Sequence, residues 1–96
     1  MAEQLAEINK NFNKLIFESK TSTTTANGSF GTNVPVSKPI VCAYTNDADS
    51  VTGAYTVTPE KNINSDTWFF HIRKGISNNA AVANETITVY YWYIDT

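Results

Sequence analysis

The sequence predicts a mainly β protein, in which a short N-terminal coiled-coil helix leads into a small antiparallel β-sandwich. Three observations carry that prediction. Met1, Leu5, Ile8, Phe12 and Leu15 recur at alternating spacings of four and three, the period of a helix whose apolar seam faces other helices. From about Ser29 onward, short apolar or alternating runs are separated by turn residues, as in an all-β sandwich. The chain is also small: 96 residues make one domain plus an extension. A strand-forming part of roughly 65 residues buries only about 60% of its unfolded surface, a deficit that contact between subunits relieves.

The helix is predicted over residues 2–18. Ala2, Glu3, Gln4, Leu5, Ala6 and Glu7 are good helix formers, and neither Gly nor Pro interrupts the segment. Glu3, Glu7, Lys10 and Lys14 fall between the seam positions, on a solvated face. Leu5 and Phe12 share one core heptad position, and Ile8 and Leu15 share the other. That pairing of γ-branched with β-branched residues favours three or more helices, so these four side chains are the expected contacts of a homotrimer. Residues 1–19 are therefore assigned to a helical stalk. Residues 20–29, KTSTTTANGS, form a connector whose β-branched and hydroxyl residues disfavour helix and whose Asn27-Gly28 is a turn signal. Residues 30–96 make the sandwich head.

Within the head, Pro35 and Pro39 bracket an edge strand or an extended lead-in. Four strands are then expected, at residues 40–45, 51–57, 67–74 and 85–94, with Gly53 as a possible bulge in the second. Residues 59–66 read as a polar loop and 75–84 as another. In the third strand Trp68, Phe70 and Ile72 point one way, and Phe69, His71 and Arg73 the other. In the last, Ile87, Val89, Tyr91 and Tyr93 share one face while Thr88, Tyr90, Trp92 and Ile94 share the opposite one. A strand with a single core face alternates between apolar and polar, and this one does not. Both faces need cover, and a subunit contact is its simplest source. Trp68, Phe70 and Trp92, lying mid-strand, are read as core or subunit contacts.

Composition narrows the function. The formal charge of −2 comes from seven basic and nine acidic residues without a run of either sign, so no nucleic-acid partner is expected. No stretch approaches the ~20 apolar residues of a membrane span, so insertion is not expected. Glu3 and Glu7 stand where a signal peptide carries a basic start and an unbroken apolar run, so the chain is expected to be made in a cytosol. Cys42, the only cysteine, excludes an intrachain disulfide and a cysteine metal cluster; in its apolar run it reads as a core-packing residue. His71 is the only histidine and reads as structural. Asp47 and Asp49 read as a solvated turn rather than a calcium loop, which needs a longer ligand series. No Gly-x-Ser-x-Gly elbow or phosphate-cradling loop is present. The expectation is a protein that is not an enzyme, with no metal and no cofactor.

Binding chemistry is better supplied. Saccharides are held by an aromatic face with a few hydrogen-bonding side chains. The turns around the third strand supply the polar groups, so the expected ligand rim is Asn62, Asn64, Asp66, Asn78 and Asn79, with Tyr44 or Tyr55 as the stacking face.

Three stretches resemble the small lectin-like heads at the tips of bacteriophage tail fibres and receptor-binding proteins. They are Lys38-Pro39-Ile40-Val41, Trp68-Phe69-Phe70-His71-Ile72-Arg73, and the closing strand Ile87-Thr88-Val89-Tyr90-Tyr91-Trp92-Tyr93-Ile94, which is similar to that of H-type lectin-like modules. The resemblance implies a homotrimer of parallel helices and three sandwiches. It further implies recognition of a host cell-surface polysaccharide and a place on the virion, reached from the host cytoplasm. The competing class is a structural fibre or head-decoration module without a ligand of its own.

Overall fold

A computed structural model describes residues 14–50, 53–62, 64–75 and 80–95. Among the described residues are eight strands and no helix. They are β1 (Leu15–Thr23), β2 (Ser29–Pro35), β3 (Ile40–Thr45), β4 (Ala48–Asp49), β5 (Gly53–Ala54), β6 (Thr56–Asn62), β7 (Thr67–Arg73) and β8 (Thr86–Ile94). Two three-stranded antiparallel sheets form, in the orders β1-β8-β3 and β2-β7-β6, and β4 pairs with β5 in a small third sheet. The mainly β, antiparallel part of the expectation is therefore correct.

The N-terminal boundary needs correction. Residues 15–18, expected in the stalk helix, open β1, and the first part of the expected connector continues it through Thr23. Leu15 is not a helical seam residue here but stands opposite Ile94 in an unbroken nine-residue register with β8. The physical reason is that β8 supplies a partner for every position of β1. Ile16, Thr21 and Thr23 are β-branched, and pairing outweighs the modest helix propensity of Leu15 and Glu18. Leu5, Ile8 and Phe12 lie outside the described residues.

Further along, the expected strand 40–45 is β3, and 67–74 and 85–94 match β7 and β8 within a residue. Residues 36–38 are a turn, closed by the Lys38 amide on the Pro35 carbonyl at 3.0 Å, rather than an extended lead-in. The expected strand 51–57 divides: Gly53–Ala54 pairs with β4, while Thr56 and Val57 belong to β6. The first half of the expected loop 59–66 is strand, because β6 runs on to Asn62 and pairs with β7 through Pro59 opposite Phe70, while 64–66 form the turn. Proline is tolerated there because β6 is an edge strand, whose outward amide needs no partner in the ladder.

The core lies between the two larger sheets. Ile87, Val89 and Tyr91 of β8 face Phe30 and Val34 of β2 and Phe70 and Ile72 of β7, with Tyr55 and Val82 closing the sides. Phe70, Ile72, Val82 and Val89 are completely buried, each worth about 1.5–3 kcal/mol of transfer free energy. Among the described residues every buried side-chain polar atom has a hydrogen-bond partner. The buried Thr32 hydroxyl donates to the Trp68 carbonyl at 2.9 Å, beside the bulge between Gly31 and Pro35. At the far edge the inward-pointing Lys20 of β1 donates to the Gly31 carbonyl of β2 and bridges the sheets.

Candidate functional site

The fold sorts the expected ligand residues into separate places. Tyr55 is removed from candidacy: it is 7% exposed, belongs to the core, and its hydroxyl donates to Glu85 Oε2 at 3.0 Å. Tyr44 is 43% exposed but lies on β3 of the first sheet, stacked on Tyr90 at 5.4 Å. Asn62, Asn64 and Asp66 are together in the turn between β6 and β7 of the second sheet. Asn78 and Asn79 lie outside the described residues.

The β6–β7 turn is built by its own side chains. Asn62 Oδ1 accepts from the Asn64 amide at 3.0 Å, and the Asp66 amide donates to the Asn62 carbonyl at 3.1 Å. Asp66 takes a positive φ of 54°, a conformation that Asp and Asn tolerate better than most residues. Its carbonyl accepts from the Val36 amide at 2.9 Å, which ties the turn to the β2–β3 connection. With Oδ1 committed to the turn, the Asn62 amide nitrogen is the group left to meet a ligand.

Asn62 borders a shallow groove of about 270 Å³ on the outer face of the second sheet, lined also by Phe69, Gly31, Ser29, Thr25 and Phe30. Its shape follows from register. Gly31 lies opposite Phe69, and where a Cβ would stand there is no atom within 4 Å, so the ring borders open space. Glu60 lies opposite Phe69 on the other side, and Ser29 lies opposite His71. His71 packs on the Phe69 ring with centroids 5.0 Å apart, and its Nδ1 is 3.4 Å from both Glu60 Oε1 and Arg73. One aromatic ring thus borders an amide, hydroxyls and a carboxylate. Such a set fits a small polyhydroxyl ring, with apolar C–H groups on the ring and hydroxyls on the polar neighbours. Among the described residues of the expected rim, Asn62 is the one that borders this groove; Phe69 and Gly31, which also line it, were not among the expected residues. The available signal was a Gly-bearing strand placed beside an aromatic one, and it becomes visible only once β2 and β7 are known to pair.

The outer face of the first sheet is of a different kind. Phe17, Tyr44 and Trp92 are 51%, 43% and 38% exposed, and Val41 is 58% exposed. Phe17 lies opposite Trp92 and 5.1 Å from it, and stacks on Tyr90 at 6.2 Å. Cys42, expected to pack in the core, is instead exposed on this face opposite Trp92. The irregular step between Ile40 and Cys42 alters the alternation on which the core expectation rested. Trp92 is likewise not a core residue, whereas Phe70 is buried as expected and Trp68 is half-buried, its indole donating to the Lys38 carbonyl at 2.8 Å.

Of the remaining candidates, Asp47 is not simply solvated. Its Oδ2 accepts from the Thr88 amide at 2.9 Å, and its own amide donates to the Thr45 hydroxyl oxygen at 3.1 Å. Among the described residues no three His, Cys, Asp or Glu side chains are gathered as a metal site would need. Comparison of the chain with protein-family models, with curated proteins and with solved structures finds no match.

Proposed function

We propose that this chain is a non-catalytic attachment module, the head of a virion fibre of bacteriophage type, which holds a host cell-surface saccharide in the groove beside the β6–β7 turn. The observation that carries the reading is the juxtaposition of the Phe69 ring, the open space over Gly31 and the Asn62 amide. Stacking sets the plane of the sugar, while Asn62, Ser29 and Glu60 select its hydroxyls. Asn64 and Asp66 act through the turn that fixes Asn62. In this reading the module is a homotrimer whose stalk helix, carrying Leu5, Ile8 and Phe12, ends before Leu15.

A glycan array probed with the purified chain tests the saccharide, and light scattering of the same preparation is expected to give three copies. Phe69→Ala and Asn62→Ala are each expected to weaken the selected glycan about tenfold, equivalent to about 1.4 kcal/mol, in a chain that keeps its fold. Absence of any glycan binding by the folded protein contradicts the proposal. It favours the second reading, a structural fibre module without a ligand, for which the exposed uncharged aromatic face of the first sheet is the supporting observation.

A further inference from the structure

Pairing of β6 with β7 brings three titratable or charged side chains together beside the groove. On the outer face of the second sheet, Phe69, His71 and Arg73 alternate along β7, with Thr58 opposite His71 and Glu60 opposite Phe69 on β6. His71 Nδ1 lies 3.4 Å from Glu60 Oε1 and 3.4 Å from the Arg73 guanidinium. These two neighbours make opposite demands, since a carboxylate only accepts hydrogen bonds and a guanidinium only donates them. One ring nitrogen carries either a proton or a lone pair, so it serves Glu60 or Arg73 and never both at once. Among the described residues no further charged group faces His71 from the neighbouring strands. The β2 strand carries none, and Lys61 of β6 lies over the Trp68 ring at 5.8 Å. Lys74, next along from Arg73, is 3.9 Å from Asp49, and Lys20 of β1 is engaged at the Gly31 carbonyl.

We propose that His71 exchanges these two partners on protonation and so makes attachment at the groove weaker in acid, a regulation that rests on the saccharide reading above. With Nδ1 unprotonated, the ring accepts from Arg73. The Glu60 carboxylate, opposite Phe69 in register, is then open to the hydroxyls of a sugar stacked on that ring. Protonation makes both ring nitrogens donors and the ring cationic. Nδ1 then donates to Glu60 in a bond between two charged groups, and Arg73 is left facing a like charge. Glu60 thereby commits to His71 an oxygen that it otherwise offers to the sugar. Histidine suits the task because its charge changes between about pH 5 and pH 8. Exposure suits it as well: the His71 and Glu60 side chains are 22% and 42% exposed, so solvent protons and a ligand can both reach the pair. His71 is a positioning residue here, acting on the sugar through Glu60.

His71 is the only histidine, so in the untagged full chain its two ring nitrogens give the only imidazole nitrogen signals. Nitrogen-15 NMR between about pH 5.5 and pH 8 therefore reads the exchange of partners without any sugar. The expected result is a bare Nδ1 at the upper pH, both nitrogens protonated at the lower, and a Glu60 carboxyl carbon signal that follows the same curve. A proton on Nδ1 at the upper pH, or a Glu60 signal indifferent to the titration of His71, overturns the proposal. The second arm titrates the glycan selected on the array. Wild type is expected to bind it about tenfold more weakly at the lower pH, and a folded His71→Gln variant, which cannot take up the proton, equally at both. Wild-type binding of equal affinity at both pH values overturns the regulation and leaves the saccharide reading standing. A pH response that persists in His71→Gln assigns it to another group and also overturns the regulation. Absence of binding at either pH overturns the saccharide reading, and the regulation with it.

Discussion

Gly28 sits where the turn after β1 comes closest to the rest of the molecule. Its φ is +77°, and a Cβ there would lie 2.8 Å from the Ile72 carbonyl oxygen and 2.9 Å from the Val82 amide nitrogen. One hydrogen bond also joins the two backbones at this place, the Ile72 amide donating to the Gly28 carbonyl at 2.7 Å. Gly28→Ala is therefore expected to cost about 2–4 kcal/mol, from the left-handed conformation and the crowding together. A denaturant midpoint unchanged from wild type would contradict that account. The tyrosines give a pH prediction. Burial, and then the bond to Glu18, hold the Tyr91 hydroxyl well above the ordinary 10.0, and burial with Glu85 raises Tyr55. Both folded-state pKa values are raised, so their stability is complete below about pH 10. It declines above that, as the unfolded chain ionises while the folded one keeps its protons. Tyrosinate absorbance and unfolding should therefore rise together above pH 10, and a folded protein with all tyrosines ionised would contradict this. The Asn27-Gly28 turn was legible in the sequence because Gly marks a positive φ there. Cys42 was not, since its exposure depends on an irregularity in pairing.

At the scale of elements, β1 shows where periodicity misleads. Leu15 continues a four-three spacing that begins at Met1, yet it also begins an alternation in which Leu15 and Phe17 share a face. One residue fits both patterns, and the choice falls to β8, whose length and register lie far away in the chain. The reverse error occurred at β6, where Pro59, Glu60 and Lys61 look like a loop. They form a strand because its pairing with β7 covers inward-facing Val57 and Pro59. By contrast β3, β7 and β8 carry enough apolar and aromatic residues to be read directly. The β3–β8 junction has a specific lock: the Thr45 hydroxyl donates to the Thr88 carbonyl at 2.7 Å while Asp47 accepts the Thr88 amide. Asp47→Ala removes that acceptor and is expected to cost about 1–3 kcal/mol. Hydrogen exchange at the Thr88 amide should accelerate in step with it; unchanged protection would show that the carboxylate is dispensable.

The whole molecule places a charged, grooved face on one sheet and a neutral aromatic face on the other. That division explains how β8 can be apolar on both sides. Its inner residues Ile87, Val89 and Tyr91 fill the core, while Tyr90 and Trp92 belong to a surface. The doubled pattern was legible, but which sheet carried it was not, because sheet membership follows from connections rather than from local composition. The groove was legible in part for the same reason. Asn62 could be proposed from its turn, whereas Phe69 joins it only through the β2-β7-β6 order.

The most direct test of the attachment reading is a map of amide chemical shifts in the labelled chain, titrated with oligosaccharides released from host surface polysaccharide. The account predicts saturable shifts at Ser29, Gly31, Asn62 and Phe69, absent in a folded Phe69→Ala variant and small at Phe17, Tyr44 and Trp92. Shifts confined to the aromatic face of the first sheet, or none with any of these oligosaccharides, would contradict it.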